Sequence, residues 1–172
     1  KQRVYGESWF PGETVITGIG QGFVVATPLQ LAYATALLAG RGESPPPYLV
    51  NPTPPMQRVV HEKADWDAVV AGMVEVINGP TGTARAVAPM VPVSFAGKTG
   101  TAQVFGLPDE ADAVDERTQE SLPEHLRNHA LFIGFAPVEN PKWAISVVVE
   151  HGGGGASVAA PIGAQVMAEG VQ

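Results

Sequence analysis

Several features that are common in proteins are missing from this chain of 172 residues, and each absence excludes a class of function. The chain has no cysteine, so neither disulfide bonds nor thiolate chemistry is available to it. Its 10 basic residues are outnumbered by 17 acidic ones, and without a basic patch no nucleic-acid partner is expected. The longest apolar runs, at 87–93 and 144–149, fall well short of the ~20 residues that span a bilayer.

The most informative residues that are present lie at 96–104, in the run Ala-Gly-Lys-Thr-Gly-Thr-Ala-Gln-Val. We predict that they belong to a single buried strand. Side chains alternate along a strand, so Thr99 and Thr101 share one face and Lys98 points to the other. An ammonium group beside two hydroxyls suits a substrate that carries a carboxylate, and Gly100 lets the backbone of a ligand come close. The run therefore predicts the edge of an active site.

The triplet Lys98-Thr99-Gly100 matches the third signature motif of the penicillin-binding proteins and serine β-lactamases. Further segments agree in order and spacing with the region between the second and third motifs of class B penicillin-binding proteins. They are Trp-Phe-Pro-Gly-Glu-Thr at 9–14, Gly-Ile-Gly-Gln-Gly at 18–22, Ala-Thr-Pro-Leu-Gln-Leu at 26–31 and Asn-Gly-Pro-Thr-Gly-Thr-Ala-Arg at 78–85. The chain resembles class B over nearly its whole length. Its continuation at 105–107, Phe-Gly-Leu, is most similar to the penicillin-binding protein 2 subfamily, the transpeptidases of cell elongation.

This resemblance implies an α/β (α+β) fold of the penicillin-binding and serine β-lactamase type, with a mostly antiparallel five-stranded sheet and helices on both faces. Residues 1–172 are then the C-terminal portion of one transpeptidase domain. The implied activity is that of a peptidoglycan D,D-transpeptidase, which cross-links D-Ala-D-Ala stem peptides through a serine acyl-enzyme and is inhibited by β-lactams. The implied location is the periplasm, in a bacterial inner-membrane protein whose anchor is not in this chain. Proteins of the cell-elongation machinery are the implied partners, and no cofactor or metal ion is implied.

The resemblance also implies a role for each residue of the Lys98–Thr101 run. The hydroxyls of Thr99 and Thr101 hold the terminal carboxylate of the stem peptide or of a β-lactam. The ammonium of Lys98 lends positive potential and meets the nucleophile and the serine of the Ser-x-Asn motif. Gly100 admits the substrate backbone, and the backbone N–H of Thr101 forms the oxyanion hole together with that of the nucleophilic serine.

The nucleophile itself is missing from this sequence. None of the six serines is followed by Lys three residues later or by Asn two residues later: Ser8, Ser44, Ser94, Ser121, Ser146 and Ser157. We therefore expect the acylated serine and its lysine on an upstream segment of the same domain. Two alternatives stay open. One is a D,D-carboxypeptidase or β-lactamase-type hydrolase, in which water takes the acyl group, and the other is a non-catalytic module that binds β-lactams or peptidoglycan.

Capping signals and periodicity predict the helices and strands. Thr27 and Gln30 form a capping box with Pro28 at the first helical position, which begins a helix that ends at Gly40 and fixes the glycine-rich turn 18–22 against the site. The apolar stripe of this helix is predicted at Leu29, Ala32, Tyr33, Ala36 and Leu37. A second helix is predicted from an N-cap at Asp65, with a stripe at Val69, Val70, Met73, Val74 and Ile77. Strands are predicted at 91–104, 130–136 and 143–150, the last two as an antiparallel hairpin, followed by a final helix at 161–170.

The segment 105–129 follows the predicted active-site strand and is strongly acidic, with seven carboxylates and two arginines. Two interpretations are open: a loop that gates the cleft or contacts a partner, and a solvated loop with neither role. His125 and His129 lie near these carboxylates, but their spacing fits no recognised set of metal ligands. His151 follows a predicted strand, and this position favours a capping or solvent-facing role over acid-base catalysis.

Overall fold

The computed structural model describes residues 1–104 and 122–172. The helices in this part of the chain are α1 (Gln2–Tyr5), α2 (Pro11–Gly18), α3 (Pro28–Ala39), α4 (Lys63–Asn78) and α5 (Ala160–Gly170). The strands are β1 (Glu43–Ser44), β2 (Gln57–Arg58), β3 (Ala96–Ala102), β4 (His129–Ala136) and β5 (Trp143–Val149). Two 3₁₀ helices, Arg85–Met90 and Glu124–Leu126, and a π-helical turn, Gly155–Ala159, complete the elements. No helix in the described ranges is both long enough and apolar enough to cross a membrane.

The main sheet is antiparallel and has the strand order β3-β4-β5. Strands β4 and β5 form the predicted hairpin, with Ala136 opposite Trp143. The described residues supply three strands of this sheet, whereas the resemblance implied five, and β1 and β2 pair separately as a two-stranded ribbon. Strand β3 begins at Ala96 rather than at 91, because a 3₁₀ helix occupies Arg85–Met90 and irregular backbone follows it.

Strand β3 lies at the edge of the sheet, so the prediction of a buried strand was wrong for most of its length. Ala96 and Gly97 are buried, whereas Lys98 and Thr101 are exposed. The physical reason is that β4 covers one edge of β3, and no described strand pairs with the other. An edge strand leaves backbone donors and acceptors free to bind an extended ligand.

Helices pack on both faces of the sheet, as the resemblance implied. On one face, Ala160, Ala164 and Met167 of α5 join Phe132 of β4 in a buried cluster. On the other face, Ala39 of α3 and Val70 and Met73 of α4 pack with Ala96 and Phe135. The site strand is therefore held between two apolar layers.

The capping box that begins α3 is confirmed. The side chain of Thr27 accepts a hydrogen bond from the N–H of Gln30 at 3.2 Å, and the Gln30 side chain accepts one from the N–H of Thr27 at 2.8 Å. The predicted apolar stripe of this helix was wrong in part, because Leu29 is exposed and the buried residues are Thr35 and Ala39. Small residues face the sheet there because α3 lies directly against β4 and β5.

Three of the five residues in the predicted apolar stripe of α4 are buried, which confirms the prediction for Val70, Met73 and Ile77. Val74 is half-buried and Val69 is exposed. The helix begins before Asp65, which lies in its first turn, and the N-cap position is Glu62. A carboxylate in the first turn stabilises the helix through its dipole, so Asp65 still marks this end of the helix.

Candidate active site

The free edge of β3 presents the predicted site residues on alternating faces. Thr99 lies opposite Phe132 and Thr101 lies opposite Ala130, both of which belong to the cluster on the α5 side. Lys98 lies opposite Ile133, which packs with the cluster on the side of α3 and α4. The Nζ of Lys98 bends back and donates a hydrogen bond to the carbonyl of Thr99 at 2.6 Å. The strand therefore places one ammonium group and two hydroxyls along one open edge.

The carbonyl of Thr101 accepts a hydrogen bond from the side-chain amide of Gln21 at 3.2 Å. Gln21 lies in the turn that follows α2, between Gly20 and Gly22, whose positive φ angles of 77° and 70° favour glycine. Gln21 thus binds the carbonyl of Thr101 from outside the sheet, whereas Lys98 binds the carbonyl of its own neighbour in the strand. In an antiparallel strand the N–H and C=O of one residue point to the same side, so the N–H of Thr101 also faces the free edge.

Sequence reasoning placed the turn 18–22 near the site but missed Gln21 as the contact residue. The glycines of Gly-Ile-Gly-Gln-Gly predict a turn, but the side-chain amide between two of them has no partner that the sequence identifies. A side-chain amide can satisfy an edge carbonyl that has no strand partner. The contact joins residues 80 positions apart, so the sequence alone does not indicate it.

Thr83 is a second residue that sequence reasoning missed. Its Oγ1 lies 3.0 Å from the Oγ1 of Thr99, within hydrogen-bond distance. The sequence Thr-Gly-Thr-Ala at 81–84 is typical of a turn, and the structure places it between α4 and the 3₁₀ helix Arg85–Met90. The same turn also brings a hydroxyl to the site strand.

Gly155 lies directly against the backbone of Gly100. A Cβ atom at position 155 would fall 2.3 Å from the carbonyl oxygen of Gly100 and 2.6 Å from that of Leu131. Such distances are well inside van der Waals contact, so only glycine fits here without displacing the strand. Gly155 therefore packs tightly against the middle of β3 from the α5 side.

Two histidines near the end of β3 make hydrogen bonds to backbone atoms. His129 accepts a hydrogen bond at Nδ1 from the N–H of His151 at 2.9 Å, and the Nδ1 of His151 lies 3.1 Å from the carbonyl of Arg127. His151 lies two residues after the end of β5 and has a φ of 54°, in the left-handed region. The described residues contain no cluster of three or more metal-binding side chains. Most of the acidic segment, residues 105–121, lies outside the described residues.

The N-terminal residues form a small unit with polar and apolar contacts of its own. Lys1 donates a hydrogen bond to Glu13, which raises the pKa of Lys1 and lowers the pKa of Glu13. Tyr5 and Trp9 each pack a ring against Phe23. Many apolar side chains in this unit remain uncovered, among them Ile19 at 74% and Val25 at 91% exposure.

The sequence of this chain was compared with those of known protein families. Residues 2–168 match the family model described as the penicillin binding protein transpeptidase domain. The chain belongs to this family. Peptidoglycan D,D-transpeptidase MrdA of Haemophilus influenzae is 36% identical over 179 residues, which cover 97% of this chain and 27% of the relative. The chain thus spans about a quarter of the length of that curated transpeptidase.

Solved transpeptidase structures share the fold and much of the sequence. PBP2 of Pseudomonas aeruginosa, in complex with WCK 5153, is 41% identical with a TM-score of 0.74, covering 97% of this chain and 34% of that one. PBP2 of Helicobacter pylori, in complex with MreC, is 34% identical with a TM-score of 0.81, covering 99% and 29%. Penicillin-binding protein A of Mycobacterium tuberculosis, as a penicillin G acyl-enzyme, is 28% identical with a TM-score of 0.63, covering 91% and 34%.

Proposed function

We propose that this chain supplies the substrate-binding edge of a peptidoglycan D,D-transpeptidase. In the reaction, a serine oxygen attacks the carbonyl carbon of the D-Ala-D-Ala peptide bond and forms an ester, and the terminal D-Ala leaves with the proton on its amine. An acceptor amine then attacks the ester, forms the cross-link and returns the proton to the serine. The open edge of β3, with Lys98, Thr99 and Thr101 along it, is the observation that carries this proposal.

The roles on this edge follow from its chemistry. The hydroxyls of Thr99 and Thr101 share a face and bind the terminal carboxylate of the stem peptide. The charge of Lys98 strengthens this binding and, as the family resemblance implies, meets the nucleophile. The N–H of Thr101 faces the free edge and donates to the carbonyl oxygen as it gains charge in the transition state. Gly100 leaves room for the substrate backbone beside the strand.

The serine and its base come from an upstream segment of the same domain in this proposal. One support is that this chain covers only 27% of the relative's length. The other is that exposed apolar side chains within residues 1–25 offer a surface on which that segment can pack. We further propose a periplasmic domain anchored in the inner membrane. The H. pylori complex of PBP2 with MreC supports a partner in the elongation machinery, and the M. tuberculosis acyl-enzyme supports inhibition by β-lactams.

Product analysis with the full-length protein tests the activity. A stem pentapeptide with an acceptor amine is expected to give a cross-linked product and free D-Ala, and Lys98→Ala is expected to lower the rate by ~100-fold. The control Lys142→Ala changes a lysine in the β4–β5 turn and is expected to leave the rate unchanged. Release of D-Ala without any cross-link would support the carboxypeptidase alternative. The absence of both products would contradict the proposal.

A further inference from the structure

We infer that Thr83 is a positioning residue that orients the hydroxyl of Thr99 for the substrate carboxylate; this inference rests on the proposed function. The two Oγ1 atoms lie 3.0 Å apart. Thr83 itself is not on the strand, and it reaches the site from the turn that follows α4. It is therefore separate from the Lys-Thr-Gly-Thr run that binds the substrate.

The direction of this hydrogen bond follows from the donors that each hydroxyl has. A threonine hydroxyl has one proton to donate and two lone pairs that accept. When Thr99 gives its proton to a carboxylate oxygen, it can only accept from Thr83, so Thr83 must donate. The result is a chain of two hydroxyls that ends on the carboxylate. Each bond in such a chain polarises the next, which strengthens the contact with the negative charge.

The turn that carries Thr83 is fixed on both sides of this residue. The N–H of Gly82 donates to the carbonyl of Gly79 at 3.0 Å, and the N–H of Ala84 donates to the carbonyl of Val76 at 3.0 Å. A Cβ atom at Gly82 would lie 2.4 Å from the carbonyl oxygen of Val76, so this backbone sits tightly on the last turn of α4.

The other end of the connection is fixed as well. Asn78, the last residue of α4, donates from its side chain to the carbonyls of Val74 and Phe95, at 3.0 and 3.3 Å. Phe95 immediately precedes β3, so α4, the turn and the strand are joined at one point. Because the backbone holds Thr83 in place, its hydroxyl costs little entropy to orient and can hold Thr99 in one rotamer.

The test compares acylation of the full-length enzyme by penicillin G and by its methyl ester, in which the carboxylate charge is removed. Thr83→Val is expected to lower the second-order rate constant for penicillin G by about 2- to 10-fold, the effect of one lost hydrogen bond, and to leave the rate for the ester nearly unchanged. Thr83→Ser keeps the hydroxyl and is expected to restore the wild-type rate.

A double-mutant comparison separates positioning from a general structural effect. If Thr83 acts through Thr99, then Thr83→Val in a Thr99→Val background is expected to cause no further loss. Thr81→Val is the matched control: Thr81 is exposed in the same turn and makes no side-chain hydrogen bond within the described ranges. Should Thr83→Val fail to fold, Thr83→Ala removes the same hydroxyl without adding a methyl group.

The outcomes are distinct. Equal loss for penicillin G and its ester, a wild-type rate in Thr83→Val, or independent losses in the double mutant would each overturn the inference while leaving the proposed function intact. A wild-type enzyme that neither compound acylates would overturn the proposed function, and the inference with it.

Discussion

Thr101 carries two different donors, a side-chain hydroxyl and a backbone N–H, and mutation can separate them. Proline removes both, whereas valine removes only the hydroxyl. An edge strand tolerates proline at a position whose N–H would point away from the sheet. The residue before a proline must be extended, and Gly100 already lies in a strand. The side chain and the backbone of this one residue can therefore be assigned separate roles.

Thr101→Pro is expected to lower acylation of the full-length enzyme by penicillin ~100-fold to 1000-fold relative to Thr101→Val, because in the proposed mechanism the oxyanion loses a donor. The measurement is the acylation rate by stopped-flow or labelling, with circular dichroism to confirm folding. Thr101→Ser is the control, since it keeps both donors and should react like the wild type. If Thr101→Pro folds and reacts at the same rate as Thr101→Val, the N–H of Thr101 does not stabilise the oxyanion.

Gly155 is the second residue whose role can be tested alone. Gly155→Ala introduces a Cβ atom against the carbonyl oxygen of Gly100, and it is expected to destabilise the protein by about 1–3 kcal/mol and to slow acylation. Gly72→Ala is the matched control, because Gly72 lies in α4 with nothing within 4 Å of its added Cβ. This change should stabilise the helix by about 0.5–1 kcal/mol. Urea unfolding and penicillin labelling measure both variants, and equal behaviour would show that β3 needs no support from Gly155.

At the scale of elements, the turn between β4 and β5 is hydrogen-bonded to Ser94, two residues before β3. The Ser94 hydroxyl donates to Glu139, and the N–H of Val138 donates to Ser94 Oγ at 2.9 Å and to the Ser94 carbonyl at 3.1 Å. The hydrogen bond from Ser94 lowers the pKa of Glu139 below its ordinary value of 4.5. The folded state therefore binds this proton less readily than the unfolded state does.

This shift predicts how the stability of the hairpin depends on pH. The contribution of Ser94 and Glu139 is fully present above pH 4.5 and is lost as the pH falls through the lowered folded pKa. Ser94→Ala should reduce the free energy of unfolding at pH 7, and the difference from the wild type should shrink in acid. Urea titrations of the full-length protein at pH 7 and below pH 4 measure this difference.

The control for that experiment is Ser157→Ala, which removes a hydroxyl bonded to the carbonyl of Gly154 and so to no titrating group. Its effect on the free energy of unfolding should be the same at both pH values. A Ser94→Ala difference that is equally large in acid would show that the pair does not couple to protonation.

At the scale of the whole molecule, residues 1–172 alone are expected not to react with penicillin, because none of the six serines has a lysine three residues later. Intact-protein mass spectrometry should show no added mass on this chain and one penicillin on the full-length protein. The full-length protein with Lys98→Ala serves as the slow control. A penicillin adduct on the isolated 172 residues would contradict the prediction.

Local signals in the sequence predicted much of the fold. The capping box at Thr27, the short turn between β4 and β5 and the glycine and hydroxyl pattern of 96–104 each act through neighbouring residues, so their structures follow from local chemistry. The buried positions of α3 did not follow, because the rotation of the helix about its own axis, set by its packing on the sheet, decides whether Leu29 or Thr35 faces the core. Helix propensity and hydrophobic periodicity do not specify that rotation in a helix that is apolar on most sides.

The sequence by itself determined the family, the strand that carries Lys98, Thr99 and Thr101, and the alternation of their side chains. Only the tertiary structure decided that this strand is an edge and which distant residues hold it: Gln21 at the Thr101 carbonyl, Thr83 at the Thr99 hydroxyl and Gly155 behind Gly100. These contacts join segments that are far apart in the chain. Which residues meet in these contacts depends on how the helices and loops pack around the sheet, and local patterns in the sequence do not reveal that packing.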